Sequence, residues 1–83
     1  MDRYHVVGSN MEHICSLDCR ADSDKEALAT FRAAFTPDEL ALNCWGDPIV
    51  INLDNPPSWH REYGVQREWE DGHRYISGGY RYY

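Results

Sequence analysis

Lysine is nearly missing from this sequence. Lys25 is the only one among 8 basic residues, which stand against 14 carboxylates for a formal net charge of −6. No run of about twenty apolar residues occurs, which excludes an ordinary membrane-spanning helix. The opening stretch, MDRYHVVGS, holds no long hydrophobic run, so no secretory signal is expected. Cysteine is scarce and odd in number: Cys15, Cys19 and Cys44 are the 3 present. A small secreted scaffold carries a denser, even set, so free thiols and a cytoplasmic location are expected. There is no CxxC knuckle for zinc. Ser77-Gly78-Gly79 is followed by no GKS/T, so it is no phosphate loop. No repeat, low-complexity linker or cofactor motif is visible, and the expected cofactor set is empty.

What is present begins with aromatics: 3 Trp, 6 Tyr and 2 Phe in 83 residues. A chain of this length forms one domain, here spanning residues 1–83, and large aromatic side chains help fill its modest core. Residues 22–35 predict the central helix. Ser23 caps it, Glu26 completes a capping box, and Asp22, Asp24 and Glu26 place negative charge at the positive end of the helix dipole. Ala27, Leu28, Phe31, Ala34 and Phe35 recur at helical spacing and form its apolar stripe. Thr36, Pro37 and Glu39 repeat the start signal, so a short second helix runs through Leu42, with Leu40 turned toward the core.

The rest reads as strands. Residues 3–8 alternate, with Tyr4 and Val6 on one face and His5 and Val7 on the other. Ser9-Asn10 is a turn. Residues 12–20 place His13, Cys15, Leu17 and Cys19 on the helix side, opposite Glu12, Ile14, Ser16, Asp18 and Arg20. Cys15 and Cys19 would then lie about 13 Å apart along one strand, too far for a disulfide. Residues 49–53, IVINL, are almost continuously apolar, which predicts a central strand. Asp54-Asn55-Pro56-Pro57-Ser58 ends it. Residues 60–70 alternate, with Tyr63, Val65, Arg67 and Trp69 on one face. Asp71-Gly72 is a tight-turn signal leading into a fifth strand over residues 73–77. Residues 78–83 form a bulged strand end or a mobile tail. The expected fold class is α+β: an antiparallel or mixed sheet of four to five strands, with one main and one short helix on one face, in the order β-β-α-α-β-β-β.

Four kinds of site are weighed. A zinc site would draw on His13, Cys15, Cys19 and Cys44 with His5 or His60; against it, the cysteines read as small buried apolar residues. Cysteine catalysis would need a histidine and carboxylate from distant positions, and no cysteine has a nucleophile's context. Among the abundant carboxylates some pair will lie close by chance, so a two-carboxylate hydrolase has no support either. The expectation is no enzyme and no metal.

Single-stranded nucleic acid could stack on Tyr63, Trp69, Tyr75, Tyr80, Tyr82 and Tyr83, with Arg61, Arg67, Arg74 and Arg81 on phosphates. Four carboxylates lie among those arginines and the whole chain is acidic, so direct nucleic-acid binding is not expected. Protein binding fits best. Residues 1–60 hold ten carboxylates against four basic groups, and residues 36–59 hold Asp38, Glu39, Asp47 and Asp54 with no basic residue. The expected contact residues are Asp18, Asp22, Asp24, Glu26, Asp38, Glu39, Asp47 and Asp54, joined by Trp69 and Tyr80 as aromatic anchors. Against this stands ordinary solubilisation by surface charge.

In size, acidity and strand–helix plan the chain resembles the small anti-defence proteins of phages and mobile elements, anti-CRISPR proteins among them. The resemblance carries no residue motif. It implies a non-enzymatic inhibitor whose acidic face mimics nucleic-acid charge on the basic surface of a protein or nucleoprotein complex. The alternative is a small regulatory or adaptor protein acting through its Tyr/Arg/Trp-rich hairpin or as a homodimer. No membrane partner is expected.

Overall fold

A computed structural model of the chain describes residues 1–10, 13–59 and 68–76. β1 (Asp2–Ser9) and β2 (Ile14–Ala21) form an antiparallel hairpin, in register from Asp2 opposite Ala21 to Ser9 opposite Ile14. The Asn10 N–H donates to His13 O at 2.9 Å and the His13 N–H to Asn10 Oδ1 at 2.6 Å, which closes the turn. α1 (Asp24–Ala34) and α2 (Pro37–Asn43) follow, then β3 (Ile49–Asn52) and β4 (Arg74–Ile76). The four strands make one antiparallel sheet in the order β3-β1-β2-β4, with both helices on one face.

The alternation in β1 and β2 explains that layering. Tyr4, Val6, Cys15, Leu17, Cys19 and Ala21 are buried on the helix side, where Ala27, Phe31 and Phe35 of α1 meet them. The predicted stripe is thus the buried face of α1, and the Phe31 and Phe35 rings stack at a tilt, 5.1 Å apart. Burying one such phenylalanine is worth roughly 1.5–3 kcal/mol. The Glu26 N–H donates to Ser23 Oγ at 3.1 Å, the expected cap. The complete reciprocal box forms at α2, between Thr36 and Glu39. The chain bends at Phe35, where the backbone is extended ahead of Pro37.

Gly8 is where the second helix reaches the sheet. A Cβ there would sit 2.5 Å from Cys44 Sγ and 2.9 Å from Cys44 Cβ, so only glycine admits this approach.

Two expectations need correcting. β3 is not central: among the described residues it is the outer neighbour of β1. Its apolar run reflects cover on its faces rather than pairing along both edges. Ile51 is fully buried on the side away from the helices, while Val50 packs toward the core cluster. The second departure is at Glu68, Trp69 and Glu70, which are not in a strand. They cross the sheet face opposite the helices, and the Trp69 Nε1–H donates to Tyr4 O at 2.9 Å. The Asp71-Gly72 turn forms as expected, with Gly72 at φ 83°. It is sewn to β2 through the Gly72 N–H to Asp18 O at 2.7 Å and the Asp18 N–H to His73 O at 3.0 Å. Glu12, the remainder of the predicted fourth strand at 60–67, Ser77 and the 78–83 tail lie outside the described residues.

Candidate functional site

α2 is short, and its two sides differ in kind. The Thr36 N–H donates to Glu39 Oε1 at 2.8 Å, and the Glu39 N–H to Thr36 Oγ1 at 3.1 Å. Arg74 Nη1 adds a charged contact to Glu39 at 3.0 Å and a hydrogen bond to Ala34 O at 3.3 Å, its guanidinium lying 5.2 Å over Phe35. The Thr36 N–H first, and the Arg74 charge after it, hold the Glu39 carboxyl below its ordinary range. Glu39 is therefore tied to the fold. Leu40 packs on the core, Asn43 is buried with its Nδ2 donating to Glu39 O at 2.8 Å, and Cys44 ends the helix through its N–H to Leu40 O at 2.9 Å.

The other side of α2 faces solvent. Asp38, Ala41 and Leu42 are exposed at i, i+3 and i+4 on α2, and Trp45, past the helix end, is exposed beside Ala41. Leu42 is 59% exposed and Trp45 63%. The Trp45 ring is nevertheless held in place. Its Nε1–H donates to Ala41 O at 3.1 Å and its backbone N–H to Ser9 O at 3.0 Å. The Asn10 side-chain amide donates to Leu42 O. Asp47 is exposed two residues further along the chain. This fixed, exposed indole is not among the contact residues expected from sequence. The available signal was that Leu40 and Leu42 lie about 200° apart around a helix, so only one can face the core.

The remaining carboxylates fall elsewhere. Asp22, Asp24 and Glu26 stand at the start of α1, about 16 Å from its end by helical rise. Asp22 lies 3.8 Å from the N-terminal amine. Asp54 is matched by Arg3, whose N–H donates at 2.7 Å and whose Nε at 2.9 Å. Those bonds hold the Asp54 carboxyl below its ordinary range. Asn52 Nδ2 donates to Asp2 at 2.9 Å and Tyr4 Oη at 3.2 Å. Burial, with Asp24 nearby, pushes the Tyr4 phenol up. The acidic residues thus form two groups, one at each end of α1, rather than a single field.

Asp18 belongs to neither. It is 0% exposed, on the sheet face away from the helices, with His5 Nδ1 at 2.8 Å and the Glu70 N–H donating at 3.0 Å. Strand alternation carries it there: β1–β2 register sets His5 directly opposite. It is a structural carboxylate and not part of an exposed surface. Trp69, also expected as an anchor, is half-buried with Arg20 5.0 Å over its ring. Tyr80 lies outside the described residues, as do Arg61, Tyr63, Arg67, Arg81, Tyr82 and Tyr83.

Cys15 and Cys19 are buried free thiols, and burial pushes Cys15 up to about 11. Burial likewise raises Cys19 and Cys44. Among the described residues no three His, Cys, Asp or Glu side chains converge as a metal site. No helix among them is long and apolar enough to cross a membrane. Compared with protein-family models, curated proteins and solved structures, the chain matches none.

Proposed function

We propose that the protein is a non-enzymatic, acidic protein-binding protein that docks on the basic surface of a nucleic-acid-handling complex and inhibits it. One observation carries the reading: Leu42 on α2 and Trp45 just past its end are both exposed, the indole tied to Ala41 O, with exposed Asp38 and Asp47 on either side in the chain. A fixed, exposed indole is the composition of an interface hot spot, where Trp supplies most of the energy. The net charge of −6 steers the chain toward basic surfaces and away from nucleic acid. Occupying a surface that otherwise holds phosphates is how such a protein inhibits. Arg74, one of the groups that nucleic-acid binding would need, is already engaged by Glu39.

Affinity capture from host lysate tests this, with wild type beside W45A and the D38N/D47N pair. Wild type should retain a basic nucleic-acid-handling complex, W45A should lose it, and the charge pair should associate more slowly with a weaker salt response. Equal capture by all three proteins sinks the reading. A homodimer through the same apolar residues is opposed by Asp38 and Asp47 on both copies, so the mass should stay monomeric across concentration.

A further inference from the structure

We propose that Cys15 and Cys44 form an oxidisable pair, which peroxide joins in a disulfide that staples the end of α2 to β2. The two residues meet over Gly8. The β1–β2 register sets Gly8 directly opposite Cys15, and Cys15 is buried on the helix side of the sheet. Side chains paired across such a ladder have Cβ atoms about 4.5–5.5 Å apart. Glycine leaves its half of this pair empty, and Cys44 fills the place. A Cβ on Gly8 would lie 2.5 Å from Cys44 Sγ and 2.9 Å from Cys44 Cβ. Cys44 thus stands where a cross-strand neighbour of Cys15 would stand, packed against the same core cluster. A disulfide asks for Cβ atoms about 3.5–4.5 Å apart, so closing the pair takes a shift of roughly 1 Å. The Cys44 thiol is loosely held, since its bond to Gly46 O is 3.9 Å long. Burial first, and the Cys44 thiol next, push Cys15 up to about 11, in keeping with the same closeness. Cys19 is left out by the same register: it lies opposite Tyr4, about 13 Å along the strand from Cys15.

Oxidant reaches the pair from the Cys44 side. Cys44 is half-buried and lines a small open cavity of about 180 Å³ together with Arg32, Gly46 and Pro48, whereas Cys15 is fully buried. Burial raises the Cys44 thiol and the Arg32 charge lowers it, so attack on peroxide is slow, without the speed of an activated thiolate. The Cys44 sulfur, as thiolate, takes one peroxide oxygen and becomes a sulfenic acid, and hydroxide leaves to collect the thiol's proton as water. The Cys15 sulfur then displaces the sulfenic oxygen as a second water, and the S–S bond forms. Two thiols lose two electrons and two protons, and the peroxide takes up both. The bond closes a ring that holds α1 and α2, and it anchors the residue next to the exposed Trp45. It is independent of what α2 binds.

The test is oxidation of the folded full chain with hydrogen peroxide, read by intact mass, non-reducing peptide mapping and melting temperature, for wild type, C19A, C15A and C44A. Wild type and C19A should lose two hydrogens per chain, carry a Cys15–Cys44 link and recover with dithiothreitol. C44A should form no link, and its Cys15 should be alkylated only after unfolding. C15A should form no link, and if it fails to fold, C44A alone decides the point. A ring of about thirty residues should raise the melting temperature by about 10 °C over the reduced protein. In urea the same chain should turn to Cys15–Cys19, the shorter loop. A native link through Cys19, dimers joined through Cys44, or Cys44 carried on to sulfinic acid with Cys15 still reduced overturns the pair. So does a Cys15–Cys44 link that forms equally in urea, or one that leaves the melting temperature unmoved.

Discussion

Replacing Gly8 with alanine tests how α2 is seated, and so how its exposed residues are aimed. The new Cβ would lie 2.5 Å from Cys44 Sγ, 2.9 Å from Cys44 Cβ and 3.3 Å from Phe31 Cζ. Comfortable contact between such atoms is about 3.5–4.0 Å, so the sulfur must retreat by about 1 Å. Cys44 cannot retreat alone. Its N–H is bonded to Leu40 O, and Trp45 is bonded to Ser9 O on the same strand as Gly8. Overpacking of this kind costs roughly 1–3 kcal/mol, offset by about 0.5–1 kcal/mol because alanine loses less backbone freedom than glycine. The expected net loss for G8A is about 1–2 kcal/mol by urea denaturation. The clash has one principal author, so it can be removed from the other side. C44G deletes both offending atoms, and the G8A/C44G pair should show a favourable coupling of about 1–2 kcal/mol in a double-mutant cycle. C44A, which keeps the Cβ, should rescue only in part. A neutral G8A, or additivity within about 0.5 kcal/mol, would refute the close approach.

Two further outcomes follow from the carboxylates that serve the fold. Asp18→Ala leaves His5 and the Glu70 N–H facing an absent acceptor in a buried site, and should cost about 3 kcal/mol, with Asp18→Asn milder because one acceptor remains. Stability of Asp18→Ala within about 0.5 kcal/mol of wild type would contradict that burial. Glu39 and Asp54 have folded-state values held below the ordinary range, so their contribution is fully present above roughly pH 4–5 and is lost as pH falls through the folded values. The urea midpoint should therefore drop on acidification below roughly pH 4, and drop less in E39Q/D54N. An identical acid profile for the two proteins would show that these contacts do not form in solution.

Periodicity made much of this fold legible. The stripe of α1 and the alternation of β2 placed Leu17, Cys19, Phe31 and Phe35 together from the sequence, while alternation in β1 paired Tyr4 with Val6 without showing which face meets the helix. Cap chemistry marked both helix starts to within a residue. β3 was misplaced because apolar continuity reports burial of faces and is silent about which edges pair. Charge was harder to read. Counting carboxylates cannot separate Asp18, buried against His5, from Asp38 in solvent, because the difference lies in cross-strand register. Nor can it show that Arg3 and Arg74, distant in sequence, would take up Asp54 and Glu39. Leu42 and Trp45 were hidden by the brevity of α2, whose seven residues leave too few turns for two faces to separate by pattern alone.

The most direct measurement is the rate at which the captured nucleic-acid-handling complex associates with wild type and with D38N/D47N, at about 50 and 200 mM salt, with nucleic-acid binding by that complex followed in parallel. Wild type should associate fast, slow markedly as salt rises, and displace nucleic acid, while the neutralised pair is slower at low salt and nearly insensitive to it. Indistinguishable rates and salt responses for the two proteins, or undisturbed nucleic-acid binding by the occupied complex, would contradict docking through α2.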